Sequence, residues 1–242
     1  MVIKTLKRAG LAGLVLAGVA GSVLASPLVV SDIRQEPLGD PAEAQATMEA
    51  AWRAHGGLER WREHSRVELE LQGQVPLWPA RQVFGIEDEQ VSVTLRYDPS
   101  VWGEGTLSVN GGADVELDPA APNLLADSVR HLVELSFSMD SADVLHALPQ
   151  VDGHRRVFAS WGEAAPQRDV DQYILWFNAE GILTRFDSTG RAIAPFIKAR
   201  VGFEDYQDVA GFQLPGRVEV RRAGEDGALV HAWTLRSVHL EP

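Results

Sequence analysis

The sequence contains no cysteine. That excludes disulfides, thiolate metal sites and a cysteine nucleophile, and it excludes a lipid-modified cysteine after the apolar start of the chain. Lysine is nearly absent as well: Lys4, Lys7 and Lys198 are the whole set, so arginine carries almost all positive charge. Long apolar runs are lacking except for one, Ala9 to Leu24, and it is built largely of Gly and Ala. Against the roughly 20 strongly apolar residues that a spanning helix needs, this is a weak span. An excess of positive charge is missing too, the formal net charge being −12. Such a surface repels phosphate backbones and anionic head groups, which excludes nucleic acid as a partner.

The one apolar run follows the cationic start Lys4, Lys7 and Arg8, and it ends in Val23-Leu24-Ala25. A basic start, an apolar stretch and small residues before a cut site form a signal peptide, here residues 1–25. Cleavage after Ala25 leaves 217 of the 242 residues and, with three positive charges gone, a net charge of −15. The mature chain is then expected in the periplasm without stable insertion in the membrane. Residues 26–39 show no sustained period and read as an N-terminal leader. Residues 40–242 are long enough to bury a substantial core without disulfides, and a 45% hydrophobic content is that of a globular chain.

Asp40 is placed to cap a helix that has Pro41 at its first position, with Ala44, Met48, Ala51, Trp52 and His55 on one stripe and Gly56-Gly57 closing it. A short second helix follows from Leu58 to His64. The period then changes to two. Val67, Leu69 and Leu71, and later Val91, Val93, Leu95 and Tyr97, alternate with polar residues, as in antiparallel strands wet on one face only. Turn residues such as Asn110-Gly111-Gly112, Asp152-Gly153 and Asn178 to Gly181 separate further strands. One helix interrupts them: Leu125, Val129, Leu132, Val133 and Phe137 form its apolar stripe, and Asp127, Arg130 and Glu134 its other side. The expected fold is mainly β with α, a curved antiparallel sheet forming an open half-barrel, with helices covering its concave face.

Recognisable catalytic chemistry is missing from this pattern. None of the seven histidines pairs at metal-ligand spacing, and neither a nucleophile-elbow serine nor a glycine-rich phosphate loop is present. No catalytic residue, metal ligand or cofactor is assigned, and the chain is read as a non-enzyme. Seven tryptophans are more than a plain core needs, and Tyr173 to Phe177 is apolar on both faces. Two accounts stay open: a helix or loop packed over the second face, or an apolar cavity that takes a lipid-like ligand.

Three stretches carry a family resemblance: Ala51 to Trp61 with its double glycine, the strand–turn–strand piece from Tyr173 to Phe186, and the closing Phe203 to Pro215 with Tyr206, Val209 and Gly211. Together with the mid-chain helix they resemble the LolA/LolB-like superfamily of periplasmic lipoprotein carriers, more closely an uncharacterised branch of it. That resemblance implies an incomplete barrel closed by helices around a cavity that shields acyl chains. It implies a lipid-like ligand, or lipoprotein acyl chains, as partner. The alternative is an envelope protein bound by a module with a filled core. The expected ligand contacts are Leu125, Val129, Leu132 and Val133 from the helix, meeting Trp176 and Phe186 from the hairpin across the interior. N-terminal sequencing of the protein from the soluble envelope fraction should begin at Ser26; full-length chain in the membrane pellet would contradict the cleavage site.

Overall fold

The first strand of the protein alternates without a break, and the computed structural model shows what that alternation serves. Residues 30, 32–121, 123–191, 197–224 and 227–242 are described; the expected signal peptide, residues 1–25, lies outside them. Strand β1 (Arg66–Gln74) buries Val67, Leu69 and Leu71 and pairs on both sides. On one side stands β2 (Gln90–Tyr97), which sets Leu95 opposite Leu69 and Val93 opposite Leu71, followed outward by β3 (Gly105–Val109) and β4 (Val115–Leu117). On the other side stands the last strand, β13 (Leu229–Glu241), with Val238 opposite Leu69.

The remaining strands form a second antiparallel run: β5 (Val144–Val151), β6 (His154–Ser160), β7 (Gln172–Phe177), β8 (Leu183–Thr189), β9 (Lys198–Glu204) and β12 (Arg217–Arg222). A small separate hairpin, β10 (Gln207–Val209) with β11 (Phe212–Leu214), sits between the last two. The eleven-stranded sheet therefore runs β4-β3-β2-β1-β13-β12-β9-β8-β7-β6-β5 and does not close, since β4 and β5 are its two edges. Register shifts at Glu70/Leu71, Leu148/Val151, Trp176/Phe177 and Val220/Arg221 mark bulges, which add local twist and help the sheet coil.

Among the described residues, four α-helices accompany the sheet. Helix α1 (Pro41–Ala54) starts where Asp40 accepts a hydrogen bond from the Ala42 amide, and it ends where the Gly57 amide donates to Trp52 with Gly56 and Gly57 at positive φ. His55, at its C-terminus, fastens it to the strands. The Nε2 of His55 accepts from the Leu183 amide, so Nδ1 carries the proton and donates to the Gln213 carbonyl. Helix α2 (Leu58–Arg62) buries Leu58 and Trp61. Helix α3 (Trp78–Phe84), closed by left-handed Gly85, was not evident in the residue pattern, because a seven-residue segment holding a proline shows too little period.

The last helix, α4 (Leu124–Ser138), links the two edges of the sheet, and every residue from Leu125 to Phe137 in it is buried. A flat sheet covers only one side of a helix, so the sheet must curve around α4 while α1, α2 and α3 close the rest. Trp52 Nε1 of α1 donates to the Ser136 carbonyl and Trp61 Nε1 of α2 donates to Glu134, both across from α4. The result is the expected open half-barrel with helices on its concave side.

The described part of the leader lies on the outer face. Ile33 and Leu38 pack on a small cluster of Leu148, Phe158 and Ile174, and Glu36 pairs with Arg156 at 2.8 Å. Truncation of the inner face is the direct test of register. Leu69→Ala removes a fully buried side chain and should cost about 2–5 kcal/mol in urea denaturation; a loss under about 0.5 kcal/mol would place Leu69 outside a well-packed core.

Candidate functional site

Helix α4 begins at Asn123, whose Oδ1 accepts from the amides of Leu125 and Ala126 at 3.1 Å each. Its residues then divide by the 3.6-residue repeat. Leu125, Val129, Leu132 and Val133 fall on one side and enter the main core with Phe186, all of them at most 3% exposed. Asp127, Arg130, His131, Glu134 and Phe137 fall on the other. The sequence pattern put Asp127, Arg130 and Glu134 there and Phe137 on the apolar stripe; the structure sets Phe137 beside the polar residues and buries all of them. A surface helix with this pattern would turn its polar stripe to water. Here the stripe is enclosed by α2, by the loop after β2 and by Trp161.

Against this stripe lies a pocket of about 440 Å³. Its aromatic walls are Trp61, Trp102, Phe137 and Trp161, and its polar lining includes Arg62, Arg130, Glu134, Ser138 and Asp140. Trp61 and Phe137 stack at 5.3 Å with their planes 14° apart. Trp161 lies edge-on to Tyr173 at 5.0 Å, and its Nε1 donates to Ser141 Oγ. The volume is in the range of small-molecule sites, and the four rings share the lining with eight polar or charged side chains, Ser100, His131 and Ser141 being the others.

The deep wall is held by one ion pair. Arg130 Nε donates to Glu134 Oε2 at 2.8 Å, with both side chains 6% exposed. Glu134 Oε1 accepts from Trp61 Nε1 at 2.7 Å, so both carboxylate oxygens are used. The guanidinium also donates to the carbonyls of Val101 at 2.6 Å and Pro99 at 3.0 Å, and it lies over the rings of Tyr97 and Trp102 at 4.2 and 4.7 Å. At the more exposed end, Arg62 pairs with Asp140 at 2.7 Å, with side chains 33% and 26% exposed. His131 Nε2 stands 3.2 Å from the Tyr173 hydroxyl, and burial pushes its pKa down to about 3. Burial raises the Asp127 carboxyl to about 6, with Arg130 pulling the other way. His131 is thus neutral at pH 7, and it supplies hydrogen-bonding capacity to the wall but no charge.

The six residues expected to hold a ligand are placed as follows. Leu125, Val129, Leu132, Val133 and Phe186 do come together in the interior. Trp176 does not meet them. It alternates with Leu175 and Phe177 along β7, so it faces outward, between Arg156 at 4.8 Å and Arg185 at 4.3 Å, beside the cluster under the leader. None of the six lines the pocket. Of the residues that do line it, the sequence showed only an excess of tryptophan and, in Arg130 and Glu134, part of a polar helix side. Composition alone cannot distinguish such a stripe from a wet surface.

Among the described residues, no group of three or more His, Asp or Glu is arranged to hold a metal ion, and no helix is long and apolar enough to cross a membrane. No family model and no curated protein matches the chain. Solved structures similar to it include a LolA superfamily protein from Nitrosomonas europaea, at 13% identity over 82% of this chain and 94% of that one, with a TM-score of 0.43. A DUF1329 family protein from Desulfovibrio piger is similar at 8% identity over 83% and 93% of the two chains, also with a TM-score of 0.43.

Removing one partner of a buried pair leaves an uncompensated charge. Glu134→Ala should therefore destabilise the fold by about 3–5 kcal/mol, and Arg130→Met combined with Glu134→Leu should recover a large part of that loss. A single substitution that left the denaturation midpoint unchanged would show that the pair does not close this wall.

Proposed function

We infer that the protein binds one small amphiphilic, lipid-like molecule in the pocket beside α4. The observation that carries this is the pairing of a ring-lined space of about 440 Å³ with a polar end at Arg62 and Asp140. Rings of Trp61, Trp102, Phe137 and Trp161 offer an apolar part of a ligand the contact it loses in water. The polar end keeps a head group hydrated. Nothing in this requires a reaction: each Glu134 carboxylate oxygen already accepts from an internal donor, and His131, which also lines the pocket, is neutral and held against the Tyr173 hydroxyl. Residues Leu125, Val129, Leu132, Val133 and Phe186 form, in this reading, the packed support behind the helix. With the signal sequence, the binding would take place in the periplasm after export.

A second reading is favoured by a separate observation. Trp78 of α3 is 61% exposed, and the apolar side of α4 is filled, as in a module that keeps the fold only to bind an envelope protein. Calorimetric titration separates the two. Across a series of single-chain alkyl amphiphiles, each added methylene should tighten binding by about 0.8 kcal/mol, roughly fourfold, until the pocket is full. Trp102→Ala, which removes a half-buried wall, should weaken the whole series. Flat affinity across the series in folded protein would leave the interaction module as the better account.

A further inference from the structure

The head group such a ligand carries can be read from how charge is distributed around the pocket, and this step rests on the binding reading above. Four charged side chains line the space, two of each sign. Arg130 and Glu134 are committed. Glu134 has no free oxygen, and Arg130 is fixed by its carboxylate, two carbonyls and two rings. Breaking that set inside the protein would leave buried charges unpaired. Arg62 and Asp140 differ in every respect. They are joined by a single 2.7 Å contact, and both side chains are partly exposed. Among the described residues, the other ion-pair contact of Arg62 is the distant 3.8 Å approach of Glu59, itself 84% exposed. Exposed pairs of this kind contribute little to stability, so opening this one is cheap.

An ion pair that opens at low cost presents one cation and one anion side by side at the mouth of an aromatic-walled pocket. The matching ligand end has one anion and one cation a few bonds apart. A purely anionic head would strand Asp140, and a purely cationic one would strand Arg62. An uncharged head would leave the pair as it is and gain nothing from it. We propose that the pocket selects single-chain amphiphiles with a zwitterionic head, a phosphate or other anion meeting Arg62 and an ammonium meeting Asp140. The ammonium also gains from the neighbouring ring faces, since cations are attracted to aromatic π-systems. The volume suits one chain and its head rather than a two-chain lipid.

The experiment fixes the chain and varies the head. Dodecylphosphocholine, dodecyl sulfate, dodecyltrimethylammonium and dodecyl maltoside are each titrated calorimetrically into the mature protein below their micelle concentrations. Physiological ionic strength screens the acidic surface beyond about 8 Å. Phosphocholine without a chain is a fifth arm. Dodecylphosphocholine should bind about tenfold tighter than any other dodecyl probe, a difference of about 1.4 kcal/mol, and chainless phosphocholine should bind far more weakly. Two substitutions at the mouth should then move the preference in opposite directions. Arg62→Ala should favour the trimethylammonium probe, and Asp140→Asn should favour the sulfate; a general loss of structure would move neither preference. Equal binding of all dodecyl heads, or variants that leave the order unchanged, overturns the zwitterion assignment while the amphiphile reading stands. Absence of binding by every dodecyl probe overturns both. Chainless phosphocholine binding as tightly as the dodecyl form would show a site for the free zwitterion and overturn the single-chain assignment.

Discussion

The ion pair between Arg130 and Glu134 ties α4 at once to α2 and to the loop after β2. Glu134 fastens α4 to α2 through the Trp61 indole, and Arg130 fastens α4 to the loop after β2 through two carbonyls. A lysine could not replace this arginine. Its single ammonium cannot lie flat between the rings of Tyr97 and Trp102 while reaching a carboxylate and two separate carbonyls. The pair is expensive to bury and expensive to break, so α4 has one seating in the half-barrel. The pocket exists because that seating holds the polar side of the helix away from complete closure.

Topology explains why the helix must be there. The chain lays down β1 to β4 outward from the centre of the sheet and then has to begin β5 at the opposite edge. The crossing segment between them contains α4, 15 residues and so about 22 Å long. It crosses the concave side, where its apolar side meets the inward residues of both strand runs. The last strand, β13, then enters beside β1 and unites the two runs, with Val67, Leu69 and Leu71 facing partners on both sides. Edge strands are guarded simply. At one end β4 is only three residues long and carries Glu116, and at the other the Gly39 amide and the Asp40 carbonyl bond to Ala147 of β5.

Most of this fold was legible because strict alternation and helical stripes report burial directly. Asp40-Pro41 and Gly56-Gly57 marked the ends of α1, and Val67 to Leu71 fixed which face of β1 turns inward. The pocket was not legible, for a definite reason. Periodicity assigns a residue to a face and does not say what lies beyond that face. Asp127, Arg130 and Glu134 have the spacing of a solvated stripe, and only the loop at Pro99 to Val101 and the indole of Trp61, distant in sequence, turn it into a wall. Trp176 shows the opposite limit. In a strand apolar on both faces, hydrophobicity cannot choose a side, and the pairing of Leu175 with Phe186 and of Trp176 with Arg185 decides it.

The filled side of α4 also sets what the protein can hold. Leu125, Val129, Leu132 and Phe186 are at most 2% exposed, and aromatic contacts of Phe186 with Tyr173 and Phe203 at 5.0 and 5.9 Å leave that side packed. Acyl chains seated there would have to displace a close-packed core, whose contacts are worth as much as those the chains would bring. The space beside the polar stripe carries no such requirement, because the Arg130–Glu134 pair in its floor is held by internal partners and its mouth carries the partly exposed Arg62–Asp140 pair. In the proposed reading capacity and selectivity are therefore separated: the core on one side of the helix gives the shell its rigidity, and the ring-lined space on the other would take the ligand.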